Sequence, residues 1–327
     1  MLMFYDFITI GGVTEDITFF SKDGLIIDNK KDVLKQKLLA FEYGSKINVK
    51  EYYQGFGGGA SNTAVNLARM GFKTACLANI GNDARGQRVL ENFNNNKIDI
   101  KLINIDKKLD TGFSFIINDK KDRIIFSYRG ANDNLLITDK QKVFLKKAQW
   151  LYLTSLPDNS NNLLKDIFAN KNKIAWNPGL NQLSGGIKKI AGFLKITDIF
   201  MVNKDEALEL IKKTPQLSNY NDDFLNNCEN LIKILKACGP KIVILTDGIN
   251  GAYIYDGKNF YHQAILKRSV EIDTTGVGDA FNSTVLGALL KIEGDYKKAM
   301  SWGMKNTASL VTKFGAQNGL LNLKNIK

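Results

Sequence analysis

At 327 residues, 44% hydrophobic and 24% charged, the chain has the composition of a globular protein long enough to bury one large core. Its net charge of +12 comes from scattered lysines such as Lys30-Lys31, Lys107-Lys108 and Lys188-Lys189, with no long basic block interleaved with aromatics, so no nucleic-acid partner is expected. One histidine (His262) and three cysteines without a CxxC pair exclude a multi-histidine zinc site and any Ser-His-Asp or Cys-His triad that does not run through His262.

In chain order, residues 7–11 read as a first strand, and the start Met1-Leu-Met-Phe-Tyr-Asp6 lacks the basic segment of a signal peptide. With no run of 18 apolar residues, no membrane partner is expected, and the cysteine usage points to a reducing cytoplasm. A strand over 48–54 leads into Gly57-Gly58-Gly59-Ala60-Ser61-Asn62 and then a helix over 61–70, capped by Ser61 or Asn62. A strand over 73–79 and a helix over 84–93 follow. Residues 112–117 and 123–128 form a hairpin with its turn at 118–122, which suits either a lid or a plain sheet edge. Later strands fall at 150–154, 173–176, 198–202 and 242–246, with helices at 204–212 and 224–237 between them. His262 falls beside a hairpin strand on the surface. This βαβα alternation predicts a mainly parallel sheet with helices on both faces, in one domain over 1–327.

Four segments carry chemistry. Gly57 to Asn62 lets backbone approach a ligand just ahead of a helix N-terminus, or is an ordinary turn with a cap. Asn203-Lys204-Asp205-Glu206 follows a strand and has capping-box spacing, so capping alone accounts for it as well as a ligand role does. Thr246-Asp247-Gly248 and Gly251 lie beyond a strand's carboxyl end, where open α/β sheets bind ligands, and an ordinary turn fits them too. Asp273-Thr274-Thr275-Gly276-Val277-Gly278-Asp279 opens an apolar helix over 280–290, and its Gly-Val-Gly turn aims successive N–H groups at one spot. Asp279 in the first helical turn is either a dipole-stabilised acid or a base beside an anion hole. No GxxxxGK[ST] and no GxGxxG is present, which excludes a P-loop and disfavours a dinucleotide oxidoreductase.

These segments together resemble the ribokinase-like (PfkB) family of carbohydrate kinases. Its two signatures are similar to 57–71 (GGGASNTAVNLARMG) and 273–286 (DTTGVGDAFNSTVL). Gly11-Gly12 with Asp16, Gly81-Asn82-Asp83 with Gly86, Arg129-Gly130-Ala131-Asn132, the N-x-x-E pair Asn203 and Glu206, and Gly315-Ala316 resemble further family motifs in the expected order. The resemblance implies a three-layer ribokinase-like fold with a small β-sheet lid from about 13–56 and 111–130. It implies ATP-dependent phosphotransfer to a hydroxymethyl group of a fructose- or ribose-like sugar. A nucleoside (adenosine-like) kinase and a catalytically silent nucleotide- or sugar-binding protein remain the alternatives.

By the same resemblance Asp279 is the catalytic base, and Gly276, Val277 and Gly278 form the anion hole. Asn203 and Glu206 organise Mg²⁺ through water. Thr246, Gly248 and Gly251 meet nucleotide phosphates, and Gly315 lies beside the adenine. Asp16, Gly58, Gly59, Asn62 and Arg129 face the acceptor. Asp273, Thr275 and Gly315 shape a monovalent-cation (K⁺) site. A homodimer through the lid is the implied assembly. Ribokinases proper carry a lysine where Gly59 stands and tend to carry a glutamate where Thr154 falls. The insertion over 28–46, with a helix ending near Tyr43, is longer than in a minimal ribokinase and is similar to the adenosine-kinase branch.

Overall fold

The central strands are apolar on both sides, and the fold uses both. The computed structural model describes residues 4–21, 23–28, 37–118, 123–217, 219–267 and 271–327. Its strands are β1 (Tyr5–Ile10), β2 (Thr14–Phe20), β3 (Leu25–Asp28), β4 (Lys37–Ala40), β5 (Glu51–Gly57), β6 (Thr74–Gly81), β7 (Ile103–Asp106), β8 (Phe113–Asn118), β9 (Arg123–Tyr128), β10 (Ala148–Leu153), β11 (Lys173–Trp176), β12 (Ile199–Asn203), β13 (Ile242–Thr246), β14 (Ala252–Tyr255) and β15 (Phe260–Gln263). The large sheet runs β15-β14-β13-β12-β11-β10-β1-β6-β7. Pairing is parallel from β13 through β7 and antiparallel at β13–β14 and β14–β15.

Period-2 alternation sends Ile8, Leu151, Leu153, Phe200, Val202 and Leu245 into one helical layer, while Phe7, Trp150, Tyr152, Met201 and Ile244 enter the other. The result is the expected three-layer α/β architecture. The chain leaves β1 for β6 on one side and returns to β10 on the other. That switch point puts a crevice beyond the carboxyl ends of β1 and β10, where open α/β sheets place ligands.

A second sheet, β5-β2-β8-β9, touches the body where Phe20 meets Phe314 and Arg123 meets Thr274. It is the expected small second sheet, called the lid below, and the hairpin belongs to it. The turn expected at 118–122 lies, from 119 on, outside the described residues. Pairing puts Asp16, Gly55, Ser114 and Ser127 on one lid face and Glu15, Phe56, Phe113 and Tyr128 on the other. Glu15 is buried at the lid's base, where Arg88 of the Ala84–Asn95 helix donates to it at 2.6 and 2.9 Å and Gln54 at 2.8 Å. Burial works against its charge, but these bonds win and hold Glu15 below the usual carboxylate range.

Three expectations need correction. The insertion does not end in a helix near Tyr43. Lys37–Ala40 pairs with Leu25–Asp28 as an antiparallel ribbon, Tyr43 stands exposed in a turn, and residues 29–36 lie outside the described residues. The helix expected over 224–237 is two, Asp222–Asn226 and Cys228–Ala237. Asn227 breaks them because its side chain caps the second, accepting from Glu229 N and Asn230 N. Neither Ser61 nor Asn62 caps the first long helix, which starts at Gly59. Gly58, with φ of +83°, takes the cap position, and both polar residues turn inward.

Candidate active site

Three of the motif segments lie at the carboxyl ends of parallel strands. Gly11-Gly12 follows β1, Thr154 follows β10, and Asn203 and Thr246 are register partners at the ends of β12 and β13. Opposite them the helix Val277–Lys291 begins from Gly276, which adopts the left-handed conformation at φ of +75°. The first residues of a helix have N–H groups without intrahelical partners, so this turn presents donors to the crevice.

Asp279 sits in the first turn of that helix. Its Oδ2 accepts from Asn62 Nδ2 at 2.9 Å. Burial raises the Asp279 pKa, and the Asn62 bond opposes the shift. Asn62 is in turn fixed from behind. Its Oδ1 accepts from Gln317 Nε2 at 3.0 Å, which also reaches Ser61 Oγ at 2.9 Å, and Gln317 Oε1 accepts from Asn92 at 3.0 Å. Deeper still, Asn66 donates to Ser283 and Thr284 at 2.7 and 2.9 Å and accepts from Asn306 at 2.8 Å. This buried amide network locks the helix Gly59–Arg69 to Val277–Lys291 and sets the position of Asp279.

Asn203 and Glu206 form a reciprocal capping box, with Asn203 N donating to Glu206 at 2.9 Å and Glu206 N to Asn203 at 2.8 Å. Burial raises the Glu206 pKa, and the charge of Asp279 adds to it. The pair caps a helix, and burial and the Asp279 charge both disfavour the ionised form of Glu206, which a nearby cation would favour. That donor set suits a hydrated Mg²⁺. Thr246 is half-buried, and beyond it Gly248–Asn250 forms a single 3₁₀ turn closed by Gly251. His262 is exposed on β15, stacked on Tyr253 at 4.5 Å, with its Nε2 3.0 Å from the carbonyl oxygen of Asn250 in that turn.

Asp273 organises the anion turn. One oxygen accepts from Thr275 N and Oγ1 at 2.8 and 2.7 Å, and the other from Gly315 N at 2.8 Å. The three residues expected at a monovalent-cation site are thus together, with Thr275 and Gly315 both bonded to Asp273. Among the described residues no group of three or more His, Cys, Asp or Glu gathers as a metal site.

Asp16 comes from the lid's inner face. Thr14 donates to it at 2.9 Å, and burial raises its pKa against hydrogen bonds from Ser114 and Thr14. Gly59 lies against Thr154, where a Cβ at 59 would come within 2.8 Å of Thr154 Cβ. Arg129 pairs through Nε with Asp133 at 2.5 Å, and its Nη2 is buried without a hydrogen-bond partner. The lid rests on the body at its tip. Phe20 packs on Phe314 at 4.7 Å, Tyr53 OH accepts from Asn318 at 2.7 Å, and Arg123 Nη1 donates to Thr274 Oγ1. The motif reading missed Gln317, Asn66 and Tyr53. Gln317 was signalled only by standing two residues after Gly315, and Tyr53 only by its strand.

A family model described as pfkB family carbohydrate kinase matches residues 25–323. The chain belongs to this family. It is an ATP-dependent sugar kinase of the ribokinase/PfkB type. Among curated relatives it is 26% identical to an ATP-dependent 6-phosphofructokinase of Thermoanaerobacterium thermosaccharolyticum, over 94% of this chain and 97% of that protein. It is 28% identical to a ribokinase of Dictyostelium discoideum, over 84% of this chain and 89% of that one. Its fold is similar to Arabidopsis thaliana ribokinase complexed with ribose and ATP (TM-score 0.79, 18% identity, 100% of this chain and 98% of that one). It is also similar to the Methanocaldococcus jannaschii nucleoside kinase (0.77, 20%, 98% and 96%) and to a ribokinase II of E. coli in complex with ATP and Mg²⁺ (0.74, 19%, 98% and 97%). As a PfkB kinase it carries the family's three-layer body and small second sheet. Among the described residues, no helix is long and apolar enough to cross a membrane.

Proposed function

We propose that this kinase transfers the γ-phosphoryl group of ATP to a hydroxymethyl group of a fructose- or ribose-like sugar, with Asp279 as the base. The observation that carries this is the Asp279 carboxylate held by Asn62 at the N-terminus of the helix that follows Gly276. Asp279 takes the hydroxyl proton as the oxygen attacks phosphorus. The amides of Gly276, Val277 and Gly278 receive the charge on the transferring group, where most catalysis of phosphoryl transfer arises. Asp16, Gly58, Gly59 and Asn62 hold the acceptor, with Arg129 at its edge. Thr246, Gly248 and Gly251 hold the nucleotide phosphates, and Gly315 lies beside the adenine.

Asn203 and Glu206 would hold Mg²⁺ through water, and the ion would supply positive charge to the phosphates. Asp273 and Thr275, with Gly315, shape the loop that a K⁺ ion would brace. The lid's inner face covers the acceptor and keeps water from the phosphoryl group.

A nucleoside acceptor is the second reading. The β3–β4 ribbon elaborates the insertion, and Gly59 and Thr154 leave no lysine–glutamate pair at the sugar. The lid's outer face carries Tyr52, Phe126 and Tyr128, 67%, 58% and 41% exposed, and supports a homodimer built through the lid.

Phosphorylation of a panel of fructose, ribose, sugar acids, sugar phosphates and nucleosides by ATP with Mg²⁺, with and without K⁺, tests the reading. Transfer by wild type that disappears in Asp279→Asn, with nucleotide binding retained, supports it. Near-normal transfer by Asp279→Asn overturns the assignment of the base.

A further inference from the structure

Four chain crossings join the lid to the body, and each is marked by a glycine: Gly12 before β2, Gly58 after β5, Gly112 before β8 and Gly130 after β9. They meet at one point, and the side chain there is Asn132. It lies in the 3₁₀ turn Gly130–Asn134 and is 4% exposed. Its Oδ1 accepts from Val13 N at 2.9 Å, and its Nδ2 donates to Val13 O at 2.9 Å. One side-chain amide thus pairs with both backbone groups of Val13, as a neighbouring strand would. Gly112 is pressed against the same amide, since a Cβ there would come within 2.3 Å of Nδ2. The Gly58 crossing closes on Val13 as well: a Cβ at Gly58 would lie 2.7 Å from Val13 Cα.

We propose that Asn132 is a positioning residue of the phosphotransfer reaction, the pin that fixes the lid's hinge and through it the acceptor-facing Asp16 relative to Asp279. The path is short. Val13 is followed by Thr14, whose hydroxyl donates to Asp16 Oδ1 at 2.9 Å. Glu15, between them, donates its N–H to Gly112 O at 3.1 Å, so the Gly112 crossing is tied to the same strand. A buried, fully paired amide at a hinge allows rotation about Val13 without letting the crossings slide apart, and leaving either Val13 group unpaired is costly. The general position of the lid comes from the sheet. Its exact seat over the crevice comes from Asn132.

This rests on the kinase reading, and the test separates the two. Wild-type transfer to an acceptor of the panel is established first; its absence with every acceptor sinks the kinase reading alone. Asn132→Ala and Asn132→Asp are then compared with wild type in acceptor-dependent transfer and in ATP hydrolysis without acceptor. A misplaced lid exposes the phosphoryl group to water, so the ratio of hydrolysis to transfer rises by about tenfold or more, with KM for the acceptor raised and that for ATP little changed. Asn132→Asp adds a readout that packing alone does not move. Protonated, its carboxyl group accepts and donates as the amide does; ionised, it repels Val13 O. Its transfer rate, taken as a ratio to wild type at each pH, therefore recovers as pH falls. Hydrogen exchange reads the hinge without activity: amides of β2 and β8 exchange faster in Asn132→Ala, and those of β10 to β13 do not. An unchanged hydrolysis-to-transfer ratio in both variants, or exchange that speeds up evenly across lid and body, overturns the proposal. If Asn132→Ala does not fold, Asn132→Asp decides: a ratio to wild type that is flat with pH overturns it.

Discussion

Asn62 donates its amide to the Asp279 carboxylate at 2.9 Å while its own carbonyl oxygen is held by Gln317 at 3.0 Å, so the orientation of the base is set from a helix and a loop more than two hundred residues apart. The Asn62 bond favours the ionised form of a carboxylate whose pKa burial raises. Replacing Asn62 with leucine removes that support. The acidic limb of kcat/KM then moves to higher pH, and the rate at pH 6 falls roughly tenfold or more, as expected for a hydrogen bond to a charged group. Gln317→Leu moves the limb in the same direction by less, because Asn62 remains but is free to turn. A pH–rate profile of both variants checks this, and an acidic limb that stays in place refutes the role given to Asn62.

The same burial makes the base a cost to the fold. The Asp279 pKa is raised in the folded state, so the native protein holds that proton more tightly than the unfolded chain does. The stability associated with that preference is fully present below the unfolded pKa and is lost as pH rises through the folded one. Asp279→Asn removes the titration and keeps an acceptor for Asn62. The variant is therefore expected to lose about 10²–10⁴-fold in transfer while unfolding at a higher temperature than wild type. The gap in Tm widens as pH rises through the raised pKa and closes at lower pH. Thermal melts from pH 4 to 8 give the sign, and a variant less stable than wild type at pH 8 contradicts it.

The alternation of apolar strands with helical periodicities made the layers legible, because parallel strands buried on both faces read as continuous apolar runs. The turn at residues 273–279 was legible for a different reason: Gly276 and Gly278 directly ahead of an apolar run mark a helix start that needs a left-handed residue. What stayed hidden depends on tertiary pairing. Ser61 and Asn62 have the side chains of helix caps, yet they face Gln317 and Asp279, partners far away in sequence. Asn227 looks like one polar residue within a helical pattern, but its side chain competes for backbone donors and splits the helix. Asn132 was visible only as the end of a motif, since its partner Val13 lies 119 residues away.

Gly59 and Thr154, the two positions where the chain departs from ribokinases proper, pack against each other. Thr154 is 2% exposed, donates to Ile10 O at 3.2 Å and fills the space a side chain at 59 would need. The two identities are therefore coupled. Gly59→Ala alone forces the helix start away from Thr154 and is expected to raise KM for the acceptor about tenfold, whereas Gly59→Ala with Thr154→Gly recovers most of it. The interaction energy in that double-mutant cycle should reach about 1 kcal/mol. Additive effects would mean that the contact does not shape the acceptor site.

The lid's two faces differ in a way the reaction does not require. Asp16, Ser114 and Ser127 face inward, whereas Tyr52, Phe126 and Tyr128 stand outward and exposed beside Phe113 and Phe115, whose rings pack 5.1 Å apart. An outward aromatic face on a four-stranded sheet with β9 at its edge invites a second apolar surface. A second copy of the lid supplies one with the same pattern, and a two-fold contact of this kind closes on itself. Light scattering of the wild type is expected to give twice the 36.5 kDa of the chain. Phe126→Asp puts a charge in the middle of that face and is expected to give a single chain, with acceptor KM raised because an unpaired lid closes less firmly. A variant that keeps the mass of the wild type would place the contact elsewhere, and a wild type that runs as a single chain would leave this face without a partner of its own kind.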